Sequence, residues 1–367
     1  MKHLTRCLLA LVCMAMMAAC DVHQWPELKD EPKPVPPDKP EVPADPTEPR
    51  TVTLRMVFQP DFFMWEHYYD PILGEIEELY PDSDFDGSHP GSSDRYTNVA
   101  DKGVMMIEVK VYENGNLSRC LSEYSFTRMI DGQGYDTTVD IDLEQDVDYY
   151  IASWAHLKES ANHSPFYSAA DFNSVSIIAD NYKATTDYRD GFFGKTTAPP
   201  SKASAETYII NMNRPMGKFE LVTTDLSEFL DRETSRRGLP SRAKAEDYTV
   251  RISYPYYYPC SFNIMTNSLE NSKPGYYFTT KMTVTGESEA SLGFDYVMLN
   301  DIMDSAVQAQ VDVYDDSGEH VAGSSVLRVP MRRDYHTLLR GAFLSMEGNG
   351  GVGIDPDYDG DHNVTIH

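Results

Sequence analysis

Thr51-Val52-Thr53-Leu54-Arg55-Met56-Val57-Phe58 places an apolar residue at every second position. Successive side chains on a strand point to opposite faces, so Val52, Leu54, Met56 and Phe58 share one face while Thr51, Thr53 and Arg55 share the other. This is the pattern of a strand with one buried face. The same grammar recurs downstream. Residues 104–112 read as a second strand, ended by Glu113-Asn114-Gly115-Asn116, whose Asn-Gly pair suits a tight hairpin turn. Alternating or β-branched and aromatic runs predict further strands at residues 137–143, 149–156, 175–178, 208–212, 218–223, 248–254, 278–285, 292–299, 307–314 and 321–327. The last two flank Asp315-Asp316-Ser317-Gly318, a second hairpin signal. Short strands separated by turn signals predict a mainly β fold built of sandwiches.

Helical signals are few. Asp225 is placed to cap a helix, with Glu228 three residues later as its capping-box partner, and Leu226, Phe229 and Leu230 fall on one face. Within residues 61–80 a further helical turn is expected around residues 72–79, followed by an exposed Asp-rich loop over residues 81–94. One or two short helices are therefore expected beside the sheets.

Upstream of Thr51 the chain changes character. Lys2 and Arg6 precede an apolar run over residues 8–17, and Met17-Ala18-Ala19-Cys20 follows as a small-residue cleavage site. The apolar run is shorter than the roughly 20 residues a spanning helix needs. The Ala-Ala-Cys ending resembles the lipobox of bacterial lipoproteins, which implies acylation of Cys20. Each buried methylene of an acyl chain contributes about 0.8 kcal/mol, so several chains give a stable anchor. Residues 21–50 then hold nine prolines among charged residues. Proline locks φ and removes a backbone donor, so this stretch reads as an extended tether with a reach on the order of 90 Å. The expected organisation is a signal peptide over residues 1–19, a lipidated tether over residues 20–50, and two β-sandwiches over residues 51–204 and 205–367.

The 367 residues carry 58 acidic and 31 basic side chains, a net charge of −27, and loss of the two cations in residues 1–19 leaves −29. A surface of that sign repels phosphate backbones, which excludes nucleic acid as a partner class. The 24 tyrosines outnumber the 15 phenylalanines, a bias suited to strands and to amphipathic contact surfaces. Of five cysteines, Cys7 and Cys13 lie in the signal and Cys20 takes the lipid. Cys120 and Cys260 remain, read as free buried thiols, with a disulfide as the alternative.

Motifs with chemical meaning are scarce. Gly348-Asn349-Gly350-Gly351-Val352-Gly353 matches GxGxxG, but Ile354-Asp355-Pro356 follows and no helix starts there to meet a pyrophosphate. Asp82, Asp84 and Asp86 form one D-x-D-x-D-G loop, and Asp355, Asp357 and Asp359 form another. That spacing is the first half of a calcium loop, yet Ser93 and Ile366 occupy the twelfth positions where a bidentate acid belongs. Solvated acidic turns are the reading and Ca2+ the alternative, so no cofactor is expected. Neither GxSxG nor HExxH occurs, and the histidines fall in no ligand spacing, so no enzymatic activity is expected. Tyr256, Tyr257 and Tyr258, bracketed by Pro255 and Pro259, read as an exposed loop able to contact a glycan or a partner, whereas Trp154 on its alternating strand reads as core.

Several segments, taken in order, resemble the fimbrillin-associated anchor and minor-subunit superfamily of type V pili, and most closely a sister lipoprotein group of unknown function. They are Cys20-Asp21-Val22-His23-Gln24-Trp25-Pro26-Glu27, Val109-Lys110-Val111-Tyr112-Glu113-Asn114-Gly115 and Tyr149-Tyr150-Ile151-Ala152-Ser153-Trp154-Ala155, then Asp187-Tyr188-Arg189-Asp190-Gly191-Phe192-Phe193-Gly194, Arg214-Pro215-Met216-Gly217-Lys218-Phe219 and Leu339-Arg340-Gly341-Ala342-Phe343-Leu344. The resemblance implies two tandem transthyretin-like β-sandwiches. It also implies a place on the outer membrane as a fimbrial anchor, accessory subunit or adhesin that engages partners by β-strand complementation. A stand-alone lipoprotein that binds a surface glycan or host ligand is the alternative. Polymer-forming relatives lose their first strand after a basic residue, and Arg50 precedes Thr51 at a plausible position for such a cut, while a retained lipid favours an uncut anchor. Asn363, Val364, Thr365 and Ile366 alternate and read as the last strand of their own domain, or as a donor strand for a neighbour. Replacement of Cys20 by serine is expected to move the protein from the membrane fraction to the soluble fraction; mass spectrometry finding an unmodified N-terminal peptide in the unaltered protein would remove the anchor.

Overall fold

A computed structural model describes residues 49–78, 95–96, 100, 102–132, 134–203, 205–302 and 305–345. The expected signal peptide, Cys20, nearly all of the expected tether, both acidic loops, the Gly-rich stretch and the tail residues 363–366 lie outside the described residues. The described chain is mainly β. In chain order the strands are β1 (Pro49–Phe58), β2 (Phe62–Asp70), β3 (Glu75–Glu78), β4 (Arg95–Tyr96), β5 (Gly103–Glu113), β6 (Asn116–Ile130), β7 (Thr137–Glu144) and β8 (Tyr149–Lys158). There follow β9 (Tyr167–Ser168), β10 (Val175–Ile177), β11 (Gly191–Ala198), β12 (Thr207–Met212) and β13 (Met216–Thr223). After the helix α1 (Leu226–Arg237) come β14 (Thr249–Ser253), β15 (Tyr258–Asn263), β16 (Ser268–Lys273), β17 (Tyr277–Lys281) and β18 (Thr283–Val284). The last are β19 (Ala290–Met298), β20 (Ser305–Tyr314), β21 (His320–Gly323), β22 (Leu327–Met331) and β23 (Tyr335–Gly341).

The quoted stretch behaves as its alternation requires. Val52, Leu54 and Met56 are fully buried and Phe58 nearly so, all in one core. That core lies between the sheet β12-β1-β7 and the sheet β11-β8-β5-β6. β8 does more than close it. Ile151, Ala155 and Leu157 enter this first core, whereas Ala152 and Trp154 on the opposite face enter a second. A strand buried on both faces needs apolar residues at consecutive positions, which is why residues 149–157 are apolar almost throughout.

The second core is larger. It gathers side chains from a sheet with β18-β19-β13-β23-β2-β3 in order, from a sheet built on β17-β14-β20-β21, and from the short sheet β16-β15-β10-β9. Helix α1 adds Leu226, Phe229 and Leu230, the face expected of it. Gly238 ends the helix in the left-handed region at φ 59°, a conformation glycine adopts without cost.

Strand pairing crosses residue 205 in both directions. β1 runs parallel to β12, with Thr53 opposite Thr207, and β2 runs parallel to β23, with Trp65 opposite Thr337. A division into residues 51–204 and 205–367 therefore does not separate the sheets, because β1 and β2, three residues apart, join different ones. Four local expectations are corrected. Where a helical turn is expected, residues 71–74 form a turn and residues 75–78 form β3, paired antiparallel with β2. The Asp225 side chain makes no cap bond to α1. Its carboxylate instead accepts from Thr223 Oγ1, from the Leu344 and Ser345 amides and from Ser345 Oγ, fastening the end of the described chain to the helix start. The expected strand over residues 278–285 breaks into β17 and β18, and that over residues 321–327 into β21 and the start of β22.

His156 lies wholly inside, with no hydrogen-bond partner on either ring nitrogen among the described residues. Burial, with the nearby Lys158 ammonium adding to it, holds its pKa at about 4 against the ordinary 6.5. His67 is lowered to about 4 as well, by burial and by Arg332. The folded state thus disfavours the protonated ring: the stability it carries is complete above pH 6.5 and is lost as pH falls from 6.5 towards 4. For His156 alone the loss at pH 5 is on the order of 2 kcal/mol. Urea unfolding at pH 7 and pH 5 is expected to show this drop, and His156→Met is expected to reduce it by about 2 kcal/mol while the His67 contribution remains.

Candidate functional site

The stretch Asp187-Tyr188-Arg189-Asp190 is a single 3₁₀ turn and its exit, entered from Thr186, whose hydroxyl accepts from the Tyr188 amide. Its charged residues face different ways. Arg189 is fully buried and ion-paired with Asp295 of β19. Asp190 is fully buried and takes a bidentate pair from Arg214, with Nε to Oδ1 and Nη2 to Oδ2 both at 2.8 Å. Asp187, at the mouth of the turn, accepts from Lys218 Nζ at 2.8 Å and from the Tyr296 hydroxyl at 2.7 Å.

Arg214 ties four segments. Besides Asp190 it donates to Asp334 Oδ1 at 2.9 Å and to the Pro60 carbonyl at 2.5 Å, and its guanidinium lies over the rings of Phe62 (3.9 Å) and Phe192 (4.9 Å). Phe62 belongs to the second core and Phe192 to the first. A planar, always-charged fork is what such a junction requires, since lysine offers neither the bidentate geometry nor the stacking face. The glycines of the same motifs are sterically set. A Cβ on Gly191 would approach Trp154 to 2.9 Å, one on Gly194 would overlap Ile210, and one on Gly217 would overlap the Arg332 carbonyl.

Asp295 organises a tyrosine cluster. Its Oδ2 accepts from the hydroxyls of Tyr254 (2.6 Å), Tyr182 (2.7 Å) and Tyr258 (2.9 Å), and its Oδ1 from the Tyr296 amide (2.8 Å). Burial, reinforced by the Asp295 charge, drives the Tyr182, Tyr254 and Tyr258 phenols well above their ordinary pKa, so they remain neutral donors. Arg189 packs over the Tyr182 ring at 4.6 Å. Tyr182 in turn meets Tyr276 edge-on, and Tyr258 meets Tyr276 at a tilt, both at 5.0 Å between centroids. Tyr182 and Tyr276 line a surface cleft of about 710 Å³ formed by residues 179–185 and 273–280.

Tyr256 and Tyr257, expected to be exposed, are 57% and 73% accessible, whereas Tyr258 is fully buried on Asp295. The expected surface contact is therefore limited to the first two, because the third begins β15 and faces inward. Trp154 is fully buried, as expected of a core residue. Cys120 and Cys260 are free thiols, Cys260 buried and Cys120 half-buried. Arg50 is buried near the start of β1, paired with Glu206 and donating to the Pro199 carbonyl at 2.8 Å. Among the described residues no group of three His, Cys, Asp or Glu is arranged to hold a metal ion.

Residues 91–367 match one known family over three quarters of the chain. The chain belongs to the family of unknown function DUF6562. The match to DUF6562 takes in every segment of the resemblance from Val109 onward and leaves the Cys20 start outside it. No curated protein matches the chain. Solved structures to which this DUF6562 member is similar include the fimbrial anchor protein Mfa2 from Porphyromonas gingivalis, at 11% identity and a TM-score of 0.37, covering 75% of this chain and 82% of that one. A fimbrial assembly protein from Parabacteroides distasonis aligns at 12% identity and a TM-score of 0.36, covering 82% and 93%. A candidate cell adhesion protein from Bacteroides ovatus aligns at 8% identity and a TM-score of 0.38, covering 80% and 92%.

The Arg189–Asp295 pair and the tyrosines around it were not singled out from sequence for this role. The signal was the density of charged residues beside glycines in residues 187–194, a composition unusual for a strand that is to be buried. A buried pair adds little net stability, but removing one partner leaves the other charge uncompensated. Asp295→Asn is expected to cost about 3–5 kcal/mol, and Tyr254→Phe, which removes one neutral donor, about 1 kcal/mol; urea denaturation of the two variants measures both.

Proposed function

We propose that this chain is a non-catalytic, lipid-anchored surface protein that serves as a fimbrial anchor, accessory subunit or adhesin and engages its partner by strand addition along β6. The observation that carries this reading is the open edge of β6. It is the last strand of the sheet β11-β8-β5-β6, and among the described residues it pairs with β5 alone. From Ser122 to Ile130 it follows β5 in unbroken register, past an irregularity opposite Tyr112. Edge strands in monomeric proteins are normally short, bulged or guarded by proline and lysine. β6 runs for fifteen residues with neither, and exposes Leu117, Leu121 and Met129. An added strand would gain main-chain hydrogen bonds along this edge and read alternate side chains for register.

The order of the segments that resemble fimbrial anchor lipoproteins supports the same reading, as do the Ala18-Ala19-Cys20 signal and the proline-rich tether. The buried pairing of Arg50 supports an uncut first strand: a protease has no access to a side chain that is clamped between Glu206 and Pro199 while β1 lies between β7 and β12. The test is recovery of an epitope-tagged chain from cells, followed by hydrogen exchange on the recovered complex. Fimbrial subunits are expected to co-purify, with the amides of residues 122–130 more protected than in the isolated protein. Recovery of monomer alone, or protection elsewhere but not on β6, would overturn the assignment.

A further inference from the structure

The cleft between residues 179–185 and 273–280 lies against the second core, and its lining runs against the character of the chain. Acidic residues outnumber basic ones by 58 to 31 over the whole sequence. Yet the cleft is lined by Lys183 and Lys273, by the rings of Tyr182, Tyr276, Tyr277 and Phe278 and by threonines, with no carboxylate among its lining residues. Both lysines are exposed, and no ion pair holds either of them among the described residues. A third cation, Arg251, lies 4.1 Å over the Tyr277 ring. At about 710 Å³ the cleft falls within the range of roughly 300–1,000 Å³ of small-molecule sites.

Its aromatic wall is held in place before any ligand arrives. Tyr182 is anchored through its hydroxyl to the buried Asp295 and stacked under Arg189, and it props Tyr276 edge-on. Thr185, on the same wall, has φ 55°, a left-handed conformation that a β-branched residue adopts only under constraint. The constraint is the hydrogen bond its backbone N–H donates to the Phe294 carbonyl at 2.8 Å, and its buried Oγ1 has no hydrogen-bond partner among the described residues. Rigid aromatic surface flanked by free cations and hydroxyls matches a ligand with an apolar ring face, several hydroxyls and a carboxylate.

We propose that this cleft is a binding site for an acidic saccharide. The pyranose C–H face packs on Tyr276 and Tyr277, and the sugar carboxylate is taken by Lys183 and Lys273. The acidic remainder of the surface then repels the same ligand everywhere else, which confines binding to the cleft. The site is independent of strand addition at β6.

Calorimetric titration of the purified chain with trigalacturonate, a hyaluronan tetrasaccharide and sialyllactose tests it, with maltotriose as the neutral control and a glutamate oligopeptide as the acidic non-sugar. At least one acidic saccharide is expected to bind, more weakly as salt is raised, and maltotriose is not. Lys183→Gln and Lys273→Gln are each expected to weaken binding by about tenfold, and Tyr277→Ala by a similar factor. Circular dichroism confirms that each variant is folded, and Lys183→Arg, which keeps the charge, is expected to retain binding. Absence of binding by all three acidic saccharides overturns the proposal. So does equal binding of maltotriose, equal binding of the glutamate peptide with no effect of Tyr277→Ala, or unchanged affinity in the Lys183→Gln, Lys273→Gln double variant.

Discussion

Two neighbouring residues of opposite charge, Arg189 and Asp190, are buried side by side and satisfied by partners in different places, Asp295 on β19 and Arg214 between β12 and β13. Neither charge tolerates the interior without its partner, since removing a charge from water costs several kcal/mol that only close pairing and hydrogen bonding offset. The two pairs therefore require that the turn at residues 187–189, the β12–β13 link, β19, the Pro60 crossover and Asp334 all be assembled together. Packing alone would accept many arrangements of apolar strands. These pairs accept one.

The second constraint is the shared sheet. β8 and β11 present one face to each core, so the two sandwiches have a wall in common instead of a flexible joint. Phe192 faces the first core and Phe193, the next residue, faces the second. Gly191 and Gly194 bracket them because Trp154 and Ile210 already occupy the space a Cβ would need. The tyrosine-lined cleft connects to the interior through Tyr182, Asp295 and Arg189.

Much of the strand content was legible from alternation, and the elements that were missed share a physical cause. β1, β5, β7, β13 and β20 each carry a polar face, and period-two patterning reveals such strands directly. β2, by contrast, reads Phe-Phe-Met-Trp-Glu-His-Tyr-Tyr-Asp, aromatic on both faces, and gives no period to follow. β6 is half-buried on one side only and mixes serine, arginine and glutamate with apolar residues, so its alternation is weak and no strand is predicted there. The capping reading at Asp225 failed for another reason: the carboxylate had a choice of amides, and those of Leu344 and Ser345, more than a hundred residues away, took it. The segments of the resemblance at residues 187–194 and 214–219 were recognisable as a pattern. What made them a pattern, two buried ion pairs and three glycine contacts, is visible only when the partners are adjacent.

The amino-acid sequence by itself determined the mainly β class, the inward face of β1, the face of α1, the core position of Trp154 and the net negative charge. Each of these is a property of residues near one another in the chain or of totals over it. The tertiary structure decided which strands became neighbours, that β1 and β2 would part into different sheets, that Tyr258 would turn inward while Tyr256 and Tyr257 remained outside, and that two lysines ninety residues apart would line one cleft. Those outcomes depend on long-range pairing of backbone edges and of buried charges, and the free energy of such contacts exists only once distant segments have met.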